Sequence, residues 1–355
     1  MARREKSAPP APRVPDPAHH RKPRRWGLYV PFIIAGVVVV AWTGLWIHAR
    51  GEAGRRMDVA ADQMRAAGFQ VTWAERRITG YPFRLNVTLT DAQIREPSGW
   101  SLAAPKLEGQ AYMHGLANWV LAAQEGLTFT RPIGGPVAVK GDVIHASLFH
   151  LDKPLPNLSF EGTKLTFTPA TGAQPFALTA ADKVEFHFRP GPDDQAAVML
   201  KVDAGQARLS GLFARMAEGK PVAIVWDSLL SKISAFRGSN WPEAVRAWTA
   251  AGGRMTVRNA GITAGEAVIG AQSGTLSVGY DGRLNGTIDV SLRQAPKTLG
   301  AMAETGVIQP DAALAASAVA AARQGDGDVA RANITFQAGR TTLGPVAVGP
   351  APKVY

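Results

Sequence analysis

Residues 26–47 read WGLYVPFIIAGVVVVAWTGLWI, twenty-two positions without one charged side chain. At 1.5 Å per residue a helix of that length spans about 33 Å, close to the roughly 30 Å hydrocarbon core of a bilayer. A charge at mid-bilayer costs about 2.5–3.5 kcal/mol, so an uncharged run this long predicts a transmembrane helix. Trp26 and Tyr29 stand at one end and Trp42 and Trp46 at the other, where amphipathic rings suit the two interfaces. Pro31 lies near the start, where a missing N–H costs least. The aromatic ends argue against a helix buried in a soluble core. A cleaved signal peptide has an apolar stretch of about 7–15 residues, shorter than this one, and Ala49-Arg50-Gly51 makes a poor cleavage site. The segment therefore reads as a retained anchor.

The flanks give the anchor a direction. Arg3, Arg4, Lys6, Arg13, Arg21, Lys22, Arg24 and Arg25 precede it, against only Glu5 and Asp16. Dense Lys and Arg hold a flank in the cytoplasm, so the 308 residues that follow Ile47 are expected on the far side. Pro9, Pro10, Pro12, Pro15 and Pro17 predict an extended or disordered tail over residues 1–25.

This distribution also disposes of the high net charge. The chain carries +11 in 355 residues, yet the tail accounts for more than half of it. A nucleic-acid groove would interleave cations with aromatics on the folded body, and no such cluster occurs there. The 46% of hydrophobic residues suffices for one large domain or two ordinary ones. The absence of cysteine excludes disulfides, thiolate metal sites and a cysteine nucleophile.

Beyond the anchor, Ala53, Met57, Ala60, Met64 and Ala67 recur at helical spacing, and Gly68 is placed to stop the run. This predicts a connecting helix over 48–69. Strands dominate the rest. In Pro82–Thr90, Phe83, Leu85, Val87 and Leu89 alternate with polar residues, the period of a strand with one apolar face. Further strands are expected over 106–113, 136–140, 143–149, 158–168, 183–189 and 197–203, and then over 256–259, 266–272, 274–280, 283–293, 329–337 and 341–348. Helices are expected over 114–125, 205–216, 225–236, 297–305 and 311–323. Another begins at Asn240-Trp241-Pro242 and stops at Gly252-Gly253. Gly325-Asp326-Gly327-Asp328 reads as a loop. At Tyr280-Asp281-Gly282, a three-residue loop with Gly282 left-handed pairs Val278 with Leu284 and Leu276 with Gly286. A two-residue loop would set Val278 against Asn285 and invert the faces.

The search for chemistry is short. His114, His145, His150 and His187 lie in the body without the carboxylate–histidine spacing of a metalloprotease. No G-x-S-x-G elbow occurs. Gly325-x-Gly327-x-x-Ala330 follows a helix and precedes a strand, the reverse of what phosphate binding at a helix N-terminus needs. Asp193-Asp194 and Asp326/Asp328 fit turns better than calcium loops. These observations predict neither an enzyme nor a cofactor or metal site.

Three strings occur in order: Ile78-Thr79-Gly80-Tyr81-Pro82-Phe83-Arg84-Leu85, Ala104-Pro105-Lys106-Leu107 and Leu343-Gly344-Pro345-Val346-Ala347-Val348-Gly349-Pro350. With the basic tail and single anchor they resemble a bacterial family filed as domain of unknown function 2125, from about Arg50 to the end. The family label carries no activity, so no functional residue transfers from it. The stretch 266–293 also looks like AsmA-like envelope proteins, a likeness that implies lipid handling along apolar β surfaces.

The expected fold is therefore α+β. One N-terminal transmembrane helix leads to a large, mainly antiparallel and curved β-sheet over 70–355, with several packed helices and room for a division into two sub-halves near 205–255. The resemblance implies a bacterial inner membrane, with the N-terminus cytoplasmic and the bulk periplasmic. The leading functional expectation is a membrane-anchored envelope protein that binds or guides lipid acyl chains on an apolar sheet surface. The alternative is a non-catalytic scaffold or assembly factor for other envelope proteins; no nucleic acid is expected as a partner. The candidate lipid-contacting residues are Phe83, Leu85, Val87 and Leu89 as an apolar wall, with Arg84 as the cation of that strand, placed to meet a head group or water.

Overall fold

The computed structural model describes residues 26–207, 211–322, 324–325 and 329–355. The basic tail over 1–25 and most of the 325–328 loop lie outside the described residues. The chain divides into two units, Met1–Ile47 and His48–Tyr355. One helix, α1 (Trp26–Ala66), runs through the boundary, and it is long and apolar enough to cross a membrane. The expected anchor and connecting helix are thus one continuous helix that ends at Ala66 rather than 69. Gly68, at φ +90, closes it. The Phe69 N–H donates to the Met64 carbonyl at 3.0 Å and the Gly68 N–H to the Arg65 carbonyl at 2.9 Å, the two bonds of a Schellman motif.

Within the second unit, the stretch of α1 after His48 packs on the first strands. Arg76 donates from Nη1 to Asp58 Oδ1 at 2.6 Å, from Nη2 to Asp58 Oδ2 at 3.0 Å, and to the Gly54 carbonyl at 3.2 Å.

Among the described residues, nineteen strands form one sheet in which every pairing is antiparallel. Two short strands, β1 (Gln70–Thr72) and β2 (Glu75–Thr79), share one edge of β3 (Arg84–Arg95), and β4 (Ser101–Tyr112) takes the other. β5 (Trp119–Ala122) and β6 (Leu127–Arg131) both pair with β4. β7 (Gly135–Lys140) pairs with β6 and β8 (Val143–Phe149) with β5. The long β9 (Asn157–Pro169) then pairs with both β7 and β8. A meander continues through β10 (Leu178–Pro190), β11 (Gln195–Ala207), β12 (Val222–Ser231), β13 (Met255–Ala264), β14 (Ala267–Val278) and β15 (Leu284–Arg293). It ends in β16 (Gln324–Gly325), β17 (Val329–Gln337), β18 (Arg340–Leu343) and β19 (Val346–Pro350).

Helices cover one face of the later strands. α2 (Leu212–Ala217) and α4 (Ala295–Glu304) pack on β13 and β14, α3 (Trp241–Ala250) on β14, and α5 (Pro310–Ala322) on β17 and β19. Leu299, Ala313, Ala316 and Ala320 of these helices share a buried cluster with Val257, Leu276, Val290, Leu292 and Phe336 of the sheet. The alanines let α5 lie close to the strands without a gap. At the start of α3 the Asn240 side chain accepts the Glu243 N–H at 3.0 Å, and Glu243 reaches back to the Ser239 N–H at 3.0 Å. This reciprocal cap is the start signal of Asn240-Trp241-Pro242-Glu243 realised.

The α+β class, the antiparallel sheet and the single apolar helix agree with the sequence reading, and several boundaries do not. The helix expected over 114–125 is replaced by β5, because Trp119–Ala122 is held between β4 and β8, with Leu121 directly over Gly109. A Cβ on Gly109 would come 3.1 Å from Leu121, so that glycine admits the strand. The helix expected over 225–236 is β12 followed by a 3₁₀ turn, Ile233–Ala235. Val222, Ile224 and Trp226 are good strand formers, and pairing on both edges overrides their accidental helical spacing. The helix expected over 205–216 shrinks to Leu212–Ala217, with part of its span outside the described residues. Strands 266–272 and 274–280 are one strand with a bulge between Ala271 and Ser273. Strand 341–348 is two, turned at Gly344-Pro345 with Gly344 at φ +57. β1, β2 and β6 are too short to show a period.

Candidate functional site

Register, followed strand by strand, aligns the apolar positions into rows that cross the sheet. The central row starts at Val87 and passes through Gly109, Leu121, Ala146, Phe160, Phe186, Leu200 and Trp226 to Ala260, Ala271, Val290 and Ala332. A second row, one pleat away, begins with Leu85 opposite Ala111 and continues with Trp119, Leu148, Leu158, Phe188 and Val198. A third begins with Leu89 opposite Leu107 and is carried on by Ile144, Gly162, Val184, Val202, Ile224 and Ile262. Alternation forces all three rows onto the same face.

Cover along these rows is uneven. At their start Leu85 and Val87 are 0% and 5% exposed. At their end the helices bury Ala260, Val290 and Ala332. In the middle, Leu121, Phe160, Phe186, Leu200, Trp226, Leu148, Leu158 and Phe188 are each only half-buried. The cluster that gathers Leu107, Ala123, Ile144, Phe160, Leu165 and Val184 contains no helix residue. The result is an apolar trough over β5, β8, β9, β10 and β11, between a covered start and a covered end. On the neighbouring β12, Ser228 is buried and accepts the indole N–H of Trp226 at 3.0 Å.

The reverse face of the same strands is charged. His145, Glu161, Glu185 and Lys201 lie across from one another, with Lys183 and Asp203 one pleat away. Lys183 bridges Glu185 at 2.9 Å and Glu161 at 3.2 Å, and Lys201 bridges Asp203 at 2.8 Å. Hydrogen bonds first to Glu185 and then to Glu161 hold the Lys183 ammonium above its ordinary pKa. Such exposed pairs add little stability, but they mark this face as the solvated one. His187 Nδ1 lies 2.9 Å from Ser159 Oγ on that face. Among the described residues no group of three His, Asp or Glu is placed to hold a metal ion.

The five residues singled out from the sequence separate. Leu85, Val87 and Leu89 head the three rows. Phe83 falls before β3 begins, in the Gly80–Phe83 turn, and is 67% exposed. That turn contains a cis Tyr81–Pro82 peptide bond and Gly80 at φ +108, whose hydrogen faces the Arg84 carbonyl where a Cβ would collide. Arg84 points away from the trough, donates to Tyr112 Oη at 3.1 Å and stands 4.8 Å from that ring's centre. The residues that line the open middle went unnamed in the sequence. Their signal was nevertheless present, in Val184, Phe186 and Phe188 alternating with Lys183, Glu185, His187 and Arg189.

Away from these rows, an open cleft of about 680 Å³ lies where the tip of the β3–β4 hairpin meets α3. Phe69, Trp100, Phe236 and Trp241 form its walls with Glu96 and Asn240. The Glu96 carboxylate is engaged there by the Trp241 N–H and by Ser98 Oγ.

No curated protein and no solved structure matches the chain. A family model described as an uncharacterized protein conserved in bacteria does match, over residues 46–352. That span takes in the whole sheet, the Gly80–Leu85 string and the closing Leu343–Pro350 strands, and the chain therefore belongs to the bacterial family of domain of unknown function 2125.

Proposed function

We propose that this protein is anchored in the bacterial inner membrane by its N-terminal helix, holds its sheet in the periplasm, and binds lipid acyl chains along the apolar trough without catalysing a reaction on them. The observation that carries this reading is the half-buried middle of the first two rows. Leu121, Phe160, Phe186 and Leu200 form an unbroken apolar surface in register, and the reverse face carries His145, Glu161, Glu185 and Lys201. A soluble core would hold such rings under a helix, as the same rows are held at Ala260 and Val290. An acyl chain laid across them gains about 0.8 kcal/mol for each methylene removed from water. The trough runs across strands spaced about 4.8 Å apart, so the five strands from β5 to β11 offer a path near 20 Å, the reach of an extended acyl chain.

The test uses the pleat as its own control. A photoreactive benzoylphenylalanine is placed at Phe186 or Phe188, facing the trough, and at Glu185 or His187, facing the reverse side, in the full chain within its native membrane. Irradiation followed by mass spectrometry should find lipid adducts at 186 and 188 only. Adducts to a defined protein at those positions would replace lipid handling with a scaffold role. Absence of any adduct at 186 and 188 in folded protein would leave the trough as ordinary packing.

A further inference from the structure

The open cleft between the β3–β4 hairpin and α3 is walled by the rings of Phe69, Trp100, Phe236 and Trp241, with Glu96 among them. Trp100 and Trp241 are 39% and 42% exposed, large rings left in contact with water. They are held in place rather than loose. Trp100 stacks on Phe129 with ring centres 5.3 Å apart, and Trp241 packs on Phe236 at 5.5 Å.

Three polar side chains at the cleft already have partners within the protein. The Glu96 carboxylate accepts the Trp241 N–H and, at 2.7 Å, the Ser98 hydroxyl. Asn240 Oδ1 accepts the Glu243 N–H at 3.0 Å, and the Trp241 indole N–H donates to the Val354 carbonyl at 2.9 Å. A ligand that depends on hydrogen bonds, such as a sugar, would compete with these partners. What the cleft offers freely is ring surface and negative charge. The start of α3 offsets the Glu96 charge by only about half a unit. Among the described residues no Lys or Arg forms an ion pair with Glu96.

Other rings of this unit meet cations from the chain itself. Arg65 and Arg76 lie 5.6 and 5.8 Å from the Trp73 ring centre, Arg131 lies 5.5 Å from that of Phe176, and Arg246 5.1 Å from that of Tyr355. Among the described residues no Arg or Lys stands over any of the four rings of the cleft. The negative face of an aromatic ring attracts a cation, and here that attraction is turned, together with a carboxylate, toward a cation from outside the chain.

We propose that the cleft binds a small soluble quaternary ammonium compound of the choline kind, with its methylated nitrogen against Trp100 and Trp241 and its charge facing Glu96. Methyl groups on the nitrogen pack on ring faces and ask for no hydrogen bond, whereas a primary ammonium brings N–H donors that need acceptors. A lipid head group of the same kind would bring a phosphate toward the Glu96 carboxylate, and like charges repel. The volume of about 680 Å³ lies within the range of small-molecule sites. This site is separate from the trough and does not depend on what the trough binds.

The test uses the full chain in maltoside micelles, labelled with 5-fluorotryptophan, with the fluorine resonances of positions 100 and 241 assigned from Trp100→Phe and Trp241→Phe. Choline should shift these two resonances saturably and leave the other tryptophans unmoved. Its neutral isostere, 3,3-dimethylbutanol, should bind about tenfold more weakly, because the ring faces no longer meet a charge. Glu96→Gln keeps an acceptor for the Trp241 N–H and removes the charge, so it should weaken choline by about threefold to fivefold. Unmoved resonances of the remaining tryptophans show that this variant is folded. The isostere comparison is made on the unaltered chain and decides the matter even where the variant does not fold. No saturable shift with choline, an equal response to the neutral isostere, or full choline affinity in folded Glu96→Gln each overturns the proposal. So does a response to short-chain phosphatidylcholine without one to choline.

Discussion

The carboxylate of Glu96, at the tip of the β3–β4 hairpin, accepts the backbone N–H of Trp241 at the first position of α3, 145 residues later in the chain. One of the orphan donors of a helix start is thereby satisfied by a strand hairpin from the other end of the sheet. This bond, together with Trp241 Nε1 donating to the Val354 carbonyl at 2.9 Å, ties the early strands, α3 and the C-terminus together. A partly exposed, charge-assisted bond of this kind contributes about 1 kcal/mol. Glu96→Ala should lower stability by that amount and speed hydrogen exchange at the first turn of α3, while Glu96→Gln, which keeps an acceptor, should restore most of the protection.

The contact between α1 and β2 has a pH dependence of known sign. The hydrogen bond from Arg76, and secondarily its charge, holds the Asp58 carboxyl below its ordinary pKa. A depressed folded-state value stabilises the packing above the unfolded pKa near 4, and that contribution is lost as pH falls through the lower folded value. Acid titration should therefore loosen α1 from β2 only below about pH 4. Asp58→Asn should remove that acid-side step and loosen the contact at neutral pH as well, followed by hydrogen exchange across residues 54–66.

Leu85 and Phe83, two residues apart, should respond oppositely. Leu85 is fully buried, so Leu85→Ala should cost about 2–5 kcal/mol of unfolding free energy. Phe83→Ala should change stability by less than about 0.5 kcal/mol. A denaturant titration of each variant decides the point, and a similar loss for both would mean the turn is packed rather than presented.

The β14–β15 hairpin allows a backbone test. Gly286 has φ +130, and a Cβ on it would overlap the Thr275 carbonyl. Gly286→Ala should destabilise by about 1–3 kcal/mol through the combined strain and clash. Gly300→Ala, in a helix with open space at that position, should be neutral or gain up to about 1 kcal/mol. Thermal unfolding of the two variants gives the comparison.

The loop at Tyr280–Gly282 shows how far local pattern reaches. Matching apolar residues across the turn selects Val278 opposite Leu284, and that register is present, with Gly282 at φ +77. Asn240 and Glu243 were equally legible as a helix start, since a cap is complete within four residues. The stretches 114–125 and 225–236 were not. Each holds apolar residues at spacings that serve a helix or a strand, and the choice falls to neighbours far away in sequence.

The trough was legible only in pieces. Alternation places Leu85, Phe186 and Leu200 each on one face of its own strand, but it cannot say which faces are the same face or what lies over them. Relative register of distant strands joins them into rows, and the positions of α2 to α5 over the later strands leave the middle of the first two rows half-open.

From the sequence alone came the uncharged 26–47 segment, the strand periods and the turn chemistry, because those depend on residues within a few positions of one another. The tertiary structure alone decided where the apolar rows are covered and where they are open, and brought Glu96 to Trp241. Those outcomes depend on how far each strand is shifted against the next, and that shift is settled by packing summed over the whole sheet.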